Sequence, residues 1–212
     1  MIKYLKLSFL IVFFSGTLFA QQSSIYTHDL TEFNRAVELY KDKQYQSAQI
    51  LFDKVKSQTD NMEVESDCAY YIANCAIRLN QTGADVLVES FVEDYPTSTK
   101  TNQAYIEVAH YYFDEGNYPK SLEWFDKADS SNMSQADREK YNFQKGYAYF
   151  TAKNTKEATK YFNQVINSKT FGSQAKYYLG YMSYETDDYK SANQYFEQVS
   201  DQDKYKEKMG YF

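Results

Sequence analysis

The sequence predicts an all-α fold, a solenoid of stacked antiparallel helix pairs. Three observations predict it. Only 7 Gly and 2 Pro interrupt 212 residues, which favours long helices with short turns over a many-turned sandwich or barrel. The 23 Tyr and 15 Phe would by composition alone also suit strands, but apolar residues recur at helical intervals, and periodicity decides. Finally, one pattern of small and aromatic residues keeps returning along the chain.

That pattern is a small residue, a second small residue twelve later, and Phe four after that. Ala36, Ala48 and Phe52 fit it, as do Ala109, Ser121 and Phe125; Gly146, Ala158 and Phe162; and Gly180, Ala192 and Phe196. Tyr45, Tyr118 and Tyr189 precede the second small residue by three, with Thr155 in the remaining copy. A further copy is looser: Ala73 and Ala84 are eleven apart, Val88 stands where Phe is expected, and Asp94-Tyr95-Pro96 closes it. The leading small residues step by 37, 36, 37 and 34. In the first copy Phe33, Ala36, Val37 and Tyr40 line one face of a first helix. Ala48, Leu51, Phe52 and Val55 line one face of a second, across the polar turn Lys41-Asp42-Lys43-Gln44. Small residues let the two helices approach and the Phe fills the space beside them. One pair cannot bury its apolar face alone, so neighbouring pairs must stack.

This arrangement resembles the tetratricopeptide-repeat family over roughly residues 30–200, about 80% of the chain. The third copy matches best, with Tyr105, Val108, Ala109, Tyr112, Gly116, Tyr118, Ser121, Phe125 and Ala128 at the motif's aromatic, small and turn positions. Steps of 36 and 37 exceed the family's usual period of about 34. Lengthened turns such as Ser130-Ser131-Asn132-Met133-Ser134 account for the excess. The resemblance implies a right-handed superhelix whose first helices line a concave face, and a non-catalytic scaffold that binds protein or peptide partners. Within the family the chain looks most like the repeat proteins of the Gram-negative cell envelope. The cues are an export leader, the Asp94-Tyr95-Pro96 turn and the aromatic pairs Tyr70-Tyr71, Tyr111-Tyr112 and Tyr177-Tyr178.

The leader is residues 1–20. Lys3 and Lys6 give a positive start, Leu7 to Phe19 is nearly all apolar, and Ala20 precedes the polar Gln21-Gln22-Ser23-Ser24. The apolar run falls short of the ~20 residues that span a bilayer as a helix, so a cleaved signal is expected rather than a stable transmembrane anchor. No Cys follows it, which separates this chain from the lipoprotein members. Residues 21–29 read as a linker, 30–203 as a solenoid of about five repeats, and 204–212 as the start of a further, incomplete repeat. That ending, with Met209, Tyr211 and Phe212, reads as part of a longer repeat protein or as an end that a partner covers, and self-association could use it. The expected location is the periplasm or the periplasmic face of the outer membrane.

Without Lys3 and Lys6 the net charge moves from −6 to about −8. Such a chain is poorly suited to nucleic acid, whose binding needs phosphate neutralisation, or to anionic lipid. Cys68 and Cys75 lie seven apart in a helical stretch, ~10 Å along the axis. A disulfide needs Cα atoms within roughly 7 Å, so they read as two small core residues on one face.

Projecting the family's concave face onto each copy selects candidate partner-binding residues. They are Phe33, Val37 and Tyr40; Ile106, His110 and Phe113; Lys140, Phe143, Tyr147 and Phe150; and Tyr177, Tyr181 and Tyr184. Spacings of three or four place each set on one helix face. Tyr suits a peptide groove because it buries a large area at low entropy cost and keeps a hydroxyl. The phenylalanines serve equally as core between repeats, an alternative the sequence leaves open. Some cochaperones of this family clamp a C-terminal carboxylate with Lys, Arg and Asn; here the corresponding surface has Lys140 among Phe, Val, His and Tyr, so that function is not expected.

No catalytic constellation, metal site or cofactor site is expected. The two histidines, His28 in the linker and His110 on a first helix, have no partner Cys or His nearby, and His110 reads as a solvated groove residue. There is no His-Glu-x-x-His, no Gly-rich phosphate loop and no Gly-x-Ser-x-Gly elbow. Asp187-Asp188 reads as a helix-capping turn, and Asp201 and Asp203 lack the Gly and Glu of a calcium loop. The remaining Glu and Lys read as exposed helix faces. Two rivals to an adaptor stand beside it: a structural spacer of a larger envelope protein, and a cell-wall or glycan-binding module.

Overall fold

The computed structural model describes residues 30–199. The leader (1–20), the linker (21–29) with His28, and the incomplete repeat (204–212) with Asp201 and Asp203 nearby lie outside the described residues. Among the described residues every regular element is an α-helix. They are α1 (30–41), α2 (Tyr45–Gln58), α3 (Met62–Arg78), α4 (Ala84–Asp94), α5 (Thr101–Asp114), α6 (Tyr118–Lys127), α7 (Gln135–Thr151), α8 (Thr155–Val165), α9 (Gly172–Glu185) and α10 (Tyr189–Glu197). No helix among the described residues is long and apolar enough to cross a membrane. The chain divides into two compact units, one ending at Ala104 and the other beginning at Tyr105.

The five first helices end in the same way. Lys43, Asn80, Gly116, Lys153 and Asp187, each seven residues after the leading small residue, all have positive φ, between 50° and 76°. Each donates its N–H three residues back (Lys43 to Tyr40 O, 3.0 Å; Lys153 to Phe150 O, 3.0 Å), and the next residue donates five back (Gln44 to Leu39 O, 2.9 Å; Asn154 to Tyr149 O, 2.9 Å). This is the Schellman arrangement, which satisfies the carbonyls orphaned at a helix end. In the last three turns the following side chain caps the second helix: Asn117 accepts from Lys120 N (3.3 Å), Asn154 from Glu157 N (3.2 Å) and Asp188 from Ser191 N (3.1 Å). The capping role expected of Asp187-Asp188 therefore belongs to Asp188, while Asp187 supplies the left-handed turn residue. The looser second copy keeps the turn at Asn80 but continues through Gly83 (φ 77°), so α4 starts directly at Ala84. Its buried set Ala84, Val88 and Phe91 repeats the spacing of Ala48, Phe52 and Val55, with the aromatic displaced by one turn.

In the first unit α3 packs against α2 and α4. The core gathers Ala36, Ala48, Phe52, Val55, Val64, Cys68, Ile72 and Cys75. Phe52 stacks on Tyr71 at 4.7 Å with ring planes 3° apart. Both cysteines are free and buried on this face, where burial pushes each thiol up to about 12 and leaves it unreactive at neutral pH.

In the second unit α7 packs against α6 and α8, and α9 against α8 and α10. The small positions do what the spacing implies. A Cβ on Gly146 would meet Phe162 Cδ1 at 3.1 Å, and one on Gly180 would meet Phe196 Cε1 at 2.7 Å. Ser121, the one hydroxyl in the small series, donates to Ala109 O across the α5–α6 pair at 2.9 Å. The lengthened turn runs from the end of α6 to Ser134, whose hydroxyl caps α7 by accepting from Asp137 N at 3.2 Å.

Lys145 departs from the sequence reading of lysines as exposed. It is 4% exposed. It precedes Gly146 as Ile72, Val108 and Leu179 precede their own small residues, and those three are buried aliphatics. The ammonium is accommodated because every side of it is satisfied. It donates to Tyr141 Oη at 2.9 Å and to Phe125 O at 3.2 Å, pairs with Asp126 at 2.8 Å, and lies over the Tyr141 and Tyr161 rings at 5.2 and 5.1 Å. Burial alone would lower its pKa, but these partners hold it above the ordinary lysine value.

Candidate partner-binding surface

The candidate residues fall into one set in each unit. In the first unit Phe33 is half-buried and packs edge-on to Phe52 (5.7 Å) and Tyr71 (6.1 Å), so it belongs to the contact between helix pairs. Val37 packs against the same core. Tyr40 meets Tyr45 at 5.5 Å and Tyr71 at 5.1 Å. The Arg78 guanidinium lies over both Tyr40 (5.2 Å) and Tyr45 (5.7 Å), held by hydrogen bonds to Asn74 O and Oδ1. Arg78 was not foreseen as part of this face. It sits at the last residue of α3, one turn past Asn74, and that i, i+4 spacing was the available signal.

In the second unit the candidates form a ladder of rings. Phe113 on α5 meets Tyr118 at 5.3 Å and Tyr147 on α7 at 5.6 Å. Tyr147 meets Tyr118 and Tyr178 at 5.2 Å each. Phe150 meets Tyr178 at 5.0 Å and Tyr181 on α9 at 5.7 Å. Tyr184 closes against Tyr189 at 5.6 Å. Edge-to-face contacts dominate, as ring quadrupoles favour. Phe113, Tyr147, Phe150, Tyr181 and Tyr184 all keep part of their surface exposed, as does Ile106 on the same helix as Phe113. Tyr118 and Tyr178 complete the ladder. In the sequence Tyr118 stands out only as a repeat marker and Tyr178 only as half of an aromatic pair.

Two candidates sit differently from the expectation. Phe143 is 9% exposed, stacked on Phe171 at 4.8 Å and packed against Phe162 at 5.9 Å. It belongs to the α7–α8–α9 core and not to a surface, resolving for this residue the choice that the sequence left open. His110 is half-buried rather than solvated. Its Nδ1 donates to Gln144 Oε1, Gln144 Nε2 reaches Asp114 Oδ1 at 3.4 Å, and its ring packs edge-on to Phe125 at 5.5 Å. Burial, and then the Lys140 charge, push its pKa down to about 4, so the imidazole is neutral at pH 7. Lys140 is half-buried beside this network, and Tyr177 packs against Tyr178 (5.4 Å) and Phe196 (6.1 Å). Among the described residues no three of His, Cys, Asp and Glu gather where a metal ion could sit.

A tetratricopeptide-repeat family model matches residues 139–170, which span most of α7, α8 and the turn into α9. No curated protein matches the chain. Among solved structures, MamA of AMB-1 superposes with a TM-score of 0.63 at 14% identity, covering 84% of this chain and 92% of that one. MamA from Desulfovibrio magneticus RS-1, residues 41 to the end, gives 0.61 at 14% identity, covering 82% and 97%. A Podosopora anserina kinesin light chain with nearly identical TPR-like repeats gives 0.57 at 16%, covering 80% and 92%. The fold is that of the tetratricopeptide-repeat solenoids.

Proposed function

We propose that this chain is a non-catalytic adaptor that is exported and holds a protein or peptide partner in a Gram-negative periplasm or on the periplasmic face of the outer membrane. The fold is one that generally serves protein–protein interaction. The observation that carries the finer reading is the ladder Phe113–Tyr147–Phe150–Tyr181, four partly exposed rings drawn from three successive first helices. Rigid, partly exposed aromatics offer a partner a large contact area at low entropy cost. The envelope location rests on the leader pattern of residues 1–20.

The test is an affinity pull-down from detergent-solubilised envelope extract with wild type and the Tyr147→Ala/Tyr181→Ala variant, read by mass spectrometry and accompanied by circular dichroism. A partner lost from the variant while helicity is retained supports the adaptor. Identical captures by both baits, or none, would remove the ladder from the function and favour a structural spacer. Tyr147→Phe/Tyr181→Phe, which keeps the rings, should retain the partner and so separates ring contact from hydroxyl contact.

A further inference from the structure

The first unit holds a cleft of about 510 Å³ between the start of α3 and the loop from α4 to α5. None of the family-derived candidates lines it. Its charged walls are Glu63, Asp67 and Asp94 against a single cation, Lys100. Lys100 is already engaged, paired with Asp67 at 3.2 Å and lying over the Tyr70 ring at 5.9 Å. At the rim, Tyr95 donates its hydroxyl to Glu65 at 2.8 Å, and Lys56 lies over the outer Tyr95 ring at 5.8 Å. Glu63 and Asp94 form no ion pair among the described residues.

Two features of this wall bear on what could enter it. Asp94 is the last residue of α4, where a carboxylate faces the negative end of the helix dipole and is disfavoured. Glu63, by contrast, suits the start of α3 and would be there on structural grounds alone. Second, Ser66 lines the cleft, is only 7% exposed as a residue, and its side chain makes no hydrogen bond among the described residues. The fully buried side-chain oxygen without a partner among the described residues is Thr101 Oγ1, so the Ser66 hydroxyl reaches the cleft and is open to a donor that enters it. Among the described residues no three His, Cys, Asp or Glu side chains gather here as a metal site would need. With carboxylates beside an apolar lip, the cleft suits an organic cation. Its lip carries Met62, 75% exposed, and Pro96, an apolar edge that suits the residue beside that cation rather than the cation itself.

We propose that this cleft receives a Lys or Arg side chain from a partner polypeptide, with Glu63 and Asp94 meeting the charge, Ser66 accepting a hydrogen bond from it, and Met62 packing against the flanking apolar residue. The site lies wholly in the first unit and does not depend on the aromatic ladder of the second.

The experiment is an NMR titration of the ¹⁵N-labelled 212-residue chain with capped Leu-Lys-Ala, with capped Leu-Glu-Ala and spermidine as comparators. The Lys peptide should shift the amides of residues 62–67 and 94–100, and binding should weaken with salt. Glu63→Gln/Asp94→Asn should weaken it roughly fivefold or more, and Ser66→Ala about two- to threefold. Tyr147→Ala/Tyr181→Ala should leave the affinity unchanged, so failure here is distinguishable from failure of the ladder. The proposal is overturned if the Lys peptide causes no shifts localised to the cleft, if the Glu peptide binds equally, or if spermidine binds as tightly as the peptide. The last result would mark a charge sink rather than a peptide pocket.

Discussion

Two helices of equal length, α3 in the first unit and α7 in the second, are each buried on several faces by opposite means. Over its 17 residues α3 buries mainly apolar side chains, Val64, Cys68, Ala69, Tyr70, Ile72, Ala73, Cys75, Ala76 and Ile77, with Ser66 beside the cleft and Asn74 answering its own helix through Tyr70 O at 3.1 Å. The 17 residues of α7 bury Tyr141, Asn142, Gln144 and Lys145 alongside Phe143, Gly146 and Ala148. The first arrangement is non-directional: apolar area leaves water and almost any close fit serves. In the second, Tyr141 and Lys145 both donate to Phe125 O, while Gln144 bridges His110 and Asp114. Directional bonds of this kind fix the register of α7 against α5 and α6, because one turn of slippage would strand every donor.

Breaking that network should have the largest effect. Lys145→Ala removes the stem packing, the Asp126 pair and two hydrogen bonds, and should cost about 3 kcal/mol in urea unfolding. Lys145→Leu restores the side-chain type found at the same step before Gly180 and should cost less than about 1.5 kcal/mol, since apolar residues often replace buried ion pairs without loss. If leucine is as damaging as alanine, the contacts of the ammonium are indispensable and the two helices differ more deeply than their burial indicates.

The contrast also marks what could be read from residues alone. The period-3.6 spacing of small and aromatic side chains located the helix pairs, and the placement of Cys68 and Cys75 in the core follows from the same periodicity. Lys145 was illegible because a charge is normally solvated; its burial depends on Phe125, Asp126 and Tyr161, which sequence spacing does not bring together. His110 was misread for the same reason: Gln144, 34 residues away, supplies its partner. The turns hid behind composition. At the five first-helix ends only Gly116 is a glycine, whereas Lys43, Asn80, Lys153 and Asp187 adopt the same conformation without the glycine signal. The cleft arises from side chains of α3 and a loop some 30 residues later, and Asp94-Tyr95-Pro96 read only as a closing turn.

His110 sharpens the comparison through pH. Its folded pKa is held down to about 4, below the unfolded value of roughly 6.5. Lys140 adds to the depression, while Gln144, Asp114 and Glu107 oppose it. Between pH 6.5 and 4 the unfolded chain therefore binds the extra proton. Stability is fully present above about pH 6.5 and falls as pH drops toward 4, by roughly 3 kcal/mol for this group. Comparing urea midpoints of wild type and His110→Asn across this range should show the wild type losing more on acidification, with the difference levelling off below pH 4. Parallel curves would mean that the imidazole is hydrated in solution and that the polar network around α7 is looser than its geometry.

The smallest expected effect concerns what the two units share. Lys43 closes α1 and Lys153 closes α7, at φ 61° and 57°, in the same hydrogen-bonded turn. A residue with a Cβ pays roughly 1 kcal/mol to enter the left-handed region, and glycine does not. Glycine's greater freedom in the unfolded chain offsets part of that gain. Lys43→Gly and Lys153→Gly should therefore each raise stability by about 0.5 kcal/mol, by nearly equal amounts, whatever the core beneath them. The effect belongs to backbone geometry and not to the packing that distinguishes α3 from α7. Equal gains would show the turn to be an independent element repeated along the chain. A gain at Lys43 with a loss at Lys153 would mean that the Lys153 side chain takes part in holding α7, extending the directional character of that helix to its end.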